Sequence, residues 1–344
     1  MDHWITPKPL EFKAKRPLFL CVLANTDTAK IPGISAAGRS PEVIDFTPAG
    51  DAELVTLGRT ICQRDPPMTG SSPTPAVITR AALQMTGMPF MFINSGLRIV
   101  PQIPLLDVGG KPGADIRTGR AVPDAGLVYE NSAQLGRQIK SLSDLVIIGE
   151  SIPGGTTTAM CVLRALGIDS RVSSSYSHNP MDIKEKTVET SLTKAGISNG
   201  DLSNDPMRAI ECFGDPMMAC VCGLMDGLGD TNIVLAGGTQ MMAVLALAKQ
   251  MEIKGNFAIA TTKFVAEDNT ATFLETVSDL GFISYIADPG FARSKNPGLR
   301  MYESGVVKEG VGAGGAMLAA GLFGIGQQEF RNHVELVCDQ LFNL

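Results

Sequence analysis

The stretch Leu145-Val146-Ile147-Ile148-Gly149-Glu150-Ser151-Ile152-Pro153-Gly154-Gly155-Thr156-Thr157-Thr158 reads as an apolar strand, a glycine turn and the opening of a helix. The run 145–149 is short, continuous and without polar alternation, the pattern of a strand covered on both faces. Helical periodicity follows over 156–166. The same unit recurs along the chain. PLFLCVLAN (17–25), PFMFIN (89–94), NIVLA (232–236), FAIAT (257–261) and FISYIA (282–287) are predicted strands. Helical patterns lie at 75–85, 239–250, 270–280 and from 314 to the end. Apolar strands alternating with amphipathic helices predict an α/β fold: a doubly wound, mostly parallel sheet in a Rossmann-like three-layer α/β/α arrangement, with a smaller helical part. Residues 101–131, with four prolines and five glycines, and residues 167–181 break the rhythm and are expected to be long irregular segments. No internal repeat or low-complexity linker divides the 344 residues, so one unit over 1–344 is expected.

The balance of the chain narrows its partners. A net charge of −6 leaves no electrostatic footprint for nucleic acid. No apolar run reaches the ~18–20 residues of a membrane span. The start, Met1 to Trp4 followed by Lys8, Lys13, Lys15 and Arg16, lacks the regions of a secretion signal, and a cytoplasmic protein is expected. Seven cysteines lie mostly in apolar stretches and are expected to be reduced core residues. There is no CxxC, and His3, His178 and His333 are the only imidazoles, so no metal site is expected. No cofactor is expected either.

Ligands of an open parallel sheet collect at the carboxyl ends of its strands. Three glycine turns fall at or near such ends. In the first, Gly154 and Gly155 expose backbone amides, and Thr156 and Thr157 add hydroxyls at a helix start, a combination suited to phosphate or carboxylate. An ordinary strand-to-helix turn with a threonine cap reads the same way. The second, Gly237-Gly238-Thr239-Gln240, repeats that geometry. The third, Glu309-Gly310-Val311-Gly312-Ala313-Gly314-Gly315, satisfies G-x-G-x-x-G literally. Residues 302–308 make a poor strand and only helix follows, so the strand and the acidic residue a dinucleotide site needs are missing. Glu309 just before a helix has two possible roles. It either complements the helix end, worth ~0.3–1 kcal/mol, or serves as a general base beside a bound ligand. His178 lies among serines without a G-x-S-x-G elbow and reads as a polar loop residue.

Taken together, these turns resemble the nicotinate-nucleotide:dimethylbenzimidazole phosphoribosyltransferase family, over about residues 73–320. Glu309 to Ala313 matches that family's EGSGA motif. Gly149, Glu150, Thr156 and Thr157 match its GE…NTT pattern, and the chain looks like a divergent branch of archaeal and cyanobacterial type. The resemblance implies a cytoplasmic, homodimeric glycosyltransferase of cobalamin biosynthesis. Its small-molecule substrates would be nicotinate mononucleotide and a heterocyclic, benzimidazole-like base, and its product an α-ribotide. It implies Glu309 and Glu150 as catalytic. Gly154, Gly155, Thr156, Thr157, Lys186, Gly237, Gly238, Gly310 and Gly312 would bind phosphate and ribose, and Thr74 and Pro75 would wall the base pocket. The sequence departs from the family pattern at Ala236, Ala82 and Gly155, and its first seventy residues show no match. A nucleotide N-glycoside or phosphate-ester hydrolase, or a non-catalytic nucleotide-binding protein, would use the same turns.

Overall fold

PLFLCVLA, residues Pro17–Ala24, forms strand β2 and is buried at every position, as a parallel strand covered by helices on both faces must be. The computed structural model describes residues 4–8, 14–37 and 41–342, so the expectations resting on Met1, His3 and Lys13 lie outside the described residues. The other strands are β1 (Ile5–Thr6), β3 (Met68–Thr69), β4 (Ser72–Pro73), β5 (Phe90–Gly96) and β6 (Leu106–Asp107). They are followed by β7 (Leu145–Ser151), β8 (Asn232–Ala236), β9 (Asn256–Thr262) and β10 (Ile283–Ala287). Eight of the ten make one sheet in the order β1-β10-β9-β8-β7-β2-β5-β6, while β3 and β4 pair with each other. The sheet is parallel except where β1 meets β10. The fold is the expected α/β class.

Side chains alternate across β2 and sort the helices into two layers. Leu18, Leu20, Val22 and Ala24 join the layer of helices Ala125–Ile139, Gly155–Ala165, Pro216–Leu228 and Thr239–Gln250. Phe19, Cys21 and Leu23 join the layer of Thr47–Leu57, Ala76–Thr86, Ala313–Leu322 and Gln327–Phe342. On β7, Val146 and Ile148 belong to the first layer and Leu145 and Ile147 to the second. By the same alternation Glu150 falls on the first face, and Gly149 and Ser151 on the second.

Helix Ala313–Leu322 lies very close to the sheet. A Cβ on Gly314 would stand 2.4 Å from the Thr261 Cα, one on Gly315 2.4 Å from the Ala236 Cβ, and one on Gly149 2.7 Å from the Gly312 Cα. The glycines after Glu309 are therefore a seat for the helix on β7, β8 and β9. A similar contact joins Ala125–Ile139 to Pro216–Leu228, where a Cβ on Gly227 would meet the Ala133 carbonyl oxygen at 2.1 Å. This corrects the expectation for residues 101–131. From Ala125 on they belong to a 15-residue helix, Ala125–Ile139. Of the five glycines of that region only Gly126 lies in the helix, with open space beside it, and glycine and proline content alone reads as loop. The expected helix at the chain end is two, Ala313–Leu322 and Gln327–Phe342. Trp4 stacks on Phe330 at 5.1 Å and donates through Nε1 to the Ile325 carbonyl.

Candidate active site

From β2 the chain winds outward to β5 and β6, then returns to place β7 on the other side of β2 and winds on through β8, β9 and β10. The strand order thus reverses between β2 and β7, the point at which doubly wound sheets open a crevice at their carboxyl ends. A cleft lies there. One wall comes from helix Thr47–Leu57, the β3–β4 segment and Thr74-Pro75. The opposite wall is made by Ile152 to Thr156 and Gln240, and Glu309, Gly310 and Val311 close the end.

Glu309 is held by the backbone that surrounds it. Its Oε1 accepts from the Gly310 and Gly314 amides at 3.2 and 3.1 Å, and its Oε2 from the Thr262 amide at 3.0 Å and the Thr261 hydroxyl at 3.4 Å. Burial still outweighs these donors and pushes its carboxyl up to about 7. Two valines bracket it in the left-handed region, Val307 at φ 58° and Val311 at φ 55°. Such a conformation costs a β-branched residue of order 1–3 kcal/mol and persists only where the surroundings impose it. Here the Val311 amide donates to the Glu150 carbonyl at 2.7 Å, and the Val311 carbonyl accepts from the Thr79 hydroxyl at 2.8 Å. The Val307 amide donates to the Ser175 carbonyl at 3.0 Å.

Two more carboxyl groups face the same space. Glu150 is 3% exposed, and its Oε2 accepts from the Ile152 amide at 3.1 Å and from Gln240 Nε2 at 3.2 Å. Burial, then the Glu309 and Asp215 carboxylates, raises it to about 8. Asp51 is as deeply buried and accepts from the Thr74 hydroxyl at 2.6 Å and the Ser151 hydroxyl at 2.7 Å. Burial lifts it to about 7 against those two hydrogen bonds. The cleft therefore holds carboxyl groups that titrate around neutrality, the condition general acid–base chemistry requires. Behind it, Asp215 caps helix Pro216–Leu228 and accepts from the Thr158 hydroxyl at 2.6 Å.

Among the described residues, no lysine or arginine lines the cleft. The nearby cations serve the wall instead. Lys308 Nζ donates to the Ser174 and Tyr176 carbonyls and pairs with Asp268 at 3.2 Å. Lys184 Nζ donates to the Ser173 carbonyl at 2.7 Å. Between them they fasten the serine loop that brings Ser174 and Ser175 to the cleft. Lys184 is wholly buried, and burial, then Lys308, lowers it to about 7.

Of the residues singled out in the sequence, Glu309, Glu150, Gly154, Gly155, Thr156, Gly310, Thr74 and Pro75 line the cleft. Thr157, Gly237, Gly238, Gly312 and Lys186 do not. Thr157 is fully buried, Gly237 donates its amide to the Ala260 carbonyl, and Gly312 packs on Gly149. Lys186 is exposed on helix Met181–Ala195, and the inward lysine of that helix is Lys184. Residues two apart on a helix face opposite sides. Gly155 has a packing reason as well, since a Cβ there would stand 2.2 Å from Gln240 Nε2. Sequence reasoning missed Asp51, Gln240 and Lys308. Gln240 and Lys308 sit inside or beside the glycine turns, a signal that could have found them, whereas Asp51 stands in a region without any motif.

No protein-family model matches the chain. It is 51% identical over 344 residues to a UPF0284 protein of Methanosarcina mazei, with 98% of each chain covered. The chain belongs to the UPF0284 family. Other UPF0284 relatives include one from Methanosarcina acetivorans, 51% identical with 98% of each chain covered. One from Methanothermobacter thermautotrophicus is 45% identical, with 94% of this chain and 93% of that one covered. The fold of the chain is similar to that of the crystal structure of nicotinate-nucleotide-dimethylbenzimidazole phosphoribosyltransferase from Thermus thermophilus. The TM-score is 0.58 and identity 14%, with 95% of this chain and 84% of that one covered. A structure described as CobT from the same organism matches with TM-score 0.58 at 15% identity, covering 98% and 88%. At these identities the likeness is one of fold.

Proposed function

We infer that the chain is a phosphoribosyltransferase that moves the 5-phosphoribosyl group of nicotinate mononucleotide to a benzimidazole-like base, giving an α-ribotide. The observation that carries this reading is Glu309, a carboxyl group near neutrality at the end of a cleft it shares with Glu150. A ring nitrogen of the base attacks the ribose C1′, and the bond from C1′ to the nicotinate nitrogen breaks, its electron pair leaving with nicotinate. The ring N–H proton of the base passes to Glu309. Glu150, fixed by the Ile152 amide and Gln240, orients the ribose. Thr156, Ser174 and Ser175 bind the phosphate with hydroxyl donors, beside the positive end of helix Gly155–Ala165. The fit of a carboxylate-lined cleft to a phosphorylated ligand rests on those neutral donors and on the cationic pyridinium of the donor nucleotide.

The test is incubation with nicotinate mononucleotide and a panel of bases, with mass detection of α-ribotides and released nicotinate. Stoichiometric appearance of both is expected, and no turnover with any base overturns the reading. Free ribose phosphate formed with and without a base would instead establish hydrolysis.

A further inference from the structure

Helix Thr47–Leu57 brings two polar residues to the cleft that the proposed reaction does not use. Asp51 and Thr47 stand one turn apart, at i and i+4, and so share a face of the helix. Both line the cleft on the wall that also carries Pro67, Met68, Thr74 and Pro75. That helix belongs to the second layer through Ala52, Leu54 and Val55. The phosphate turn belongs to the first, through helix Gly155–Ala165. The two ends of the cleft therefore come from opposite faces of the sheet, and Asp51 stands on the base side.

Each oxygen of Asp51 accepts one hydroxyl, from Thr74 and from Ser151. A carboxylate has about four lone-pair sites, so it can take a further donor. Thr47 is 8% exposed, and its Oγ1 is buried with no hydrogen-bond partner among the described residues. Buried polar atoms are seldom left so, because an unmet one costs about 1–3 kcal/mol. An apolar wall of prolines and methionine suits a flat ring, and the carboxylate and free hydroxyl suit a donor at the ring's edge.

We propose that Asp51 and Thr47 form a specificity subsite for an N–H or O–H substituent on the heterocyclic base. The substituent donates to Asp51 and, where it has a lone pair, accepts from Thr47. The proposal rests on the reading of the cleft as a base-binding site. A base bearing only methyl groups at that edge leaves Asp51 without its extra donor and Thr47 unpartnered, and sites built to bond a polar group discriminate strongly against analogues lacking it.

The test compares 5-aminobenzimidazole with 5-methylbenzimidazole, substituents of nearly equal size. The wild-type protein should bind the amino compound at least about 10-fold more tightly by calorimetry. Asp51→Asn and, separately, Thr47→Val should bring that ratio below about 3-fold. Circular dichroism unfolding checks that both variants fold, and the ratio of two ligands on one variant is insensitive to the active fraction. A wild-type preference for the methyl compound, or an unchanged ratio in a folded Asp51→Asn protein, overturns the subsite. Because binding is read without turnover, failure of the transferase reaction is seen separately, in the ribotide assay.

Discussion

Replacing Glu150 by glutamine should make the protein more stable above neutral pH. The side chain is 3% exposed, and its carboxyl is raised from 4.5 to about 8 by burial, then by Glu309 and Asp215. On unfolding the group returns to water and to its ordinary value. Between those two values the native state holds a proton that the unfolded state has lost, so stability falls as pH rises through the window. One such group gives a slope of about 1.4 kcal/mol per pH unit, or roughly 3 kcal/mol from about pH 5.5 to about pH 8. Glutamine cannot ionise, and its amide oxygen can still accept from the Ile152 amide and from Gln240. Loss of the Glu150 charge also eases Glu309, which adds to the gain, while any weakening of the Gln240 contact subtracts about 1 kcal/mol. Urea unfolding followed by circular dichroism at steps across this range reads both proteins. The profiles should meet near about pH 5, with the variant ahead by roughly 2–3 kcal/mol at about pH 8. Parallel profiles, or a variant less stable at the alkaline end, would refute the assignment of a buried, proton-holding carboxyl at this position.

Glu309→Gln should lower turnover of nicotinate mononucleotide and base by ~10²–10⁴-fold while nucleotide binding persists, measured by ribotide formation and by calorimetry. In the wild type, kcat/KM should rise with pH through about 7 and level off above, because only the ionised Glu309 accepts the ring proton; a rate that falls across this range argues against the base assignment. Gly314→Ala places a methyl group 2.4 Å from the Thr261 Cα. Backbone must shift, so thermal unfolding should show a loss of about 1–3 kcal/mol, and an unchanged midpoint would remove the close seat of helix Ala313–Leu322 from the account.

The sequence by itself determined the class of fold and the glycine turns. Burial on both faces leaves an unbroken apolar run in a parallel strand, and runs such as 232–236 and 17–25 coincide within a residue with β8 and β2. It also singled out Glu309, a carboxylate among glycines just before a helix, and, through the family resemblance, Glu150. Tertiary structure alone decided which residues meet. Asp51 reaches Ser151 across 100 residues and Lys308 reaches the Ser174 carbonyl across 134, and no local period encodes such pairings. It also decided the meaning of the glycines. Gly312, Gly314 and Gly315 look in sequence like a loop for a phosphate, but the sheet beneath them makes them the surface on which a helix rests. Lys186 and Lys184 differ by two positions on one helix, and only the packing of that helix settles which side is buried. A sequence pattern reports period and polarity along the chain; the cleft is made where distant segments of the chain converge, so its charge and its two walls appear only once the sheet is assembled.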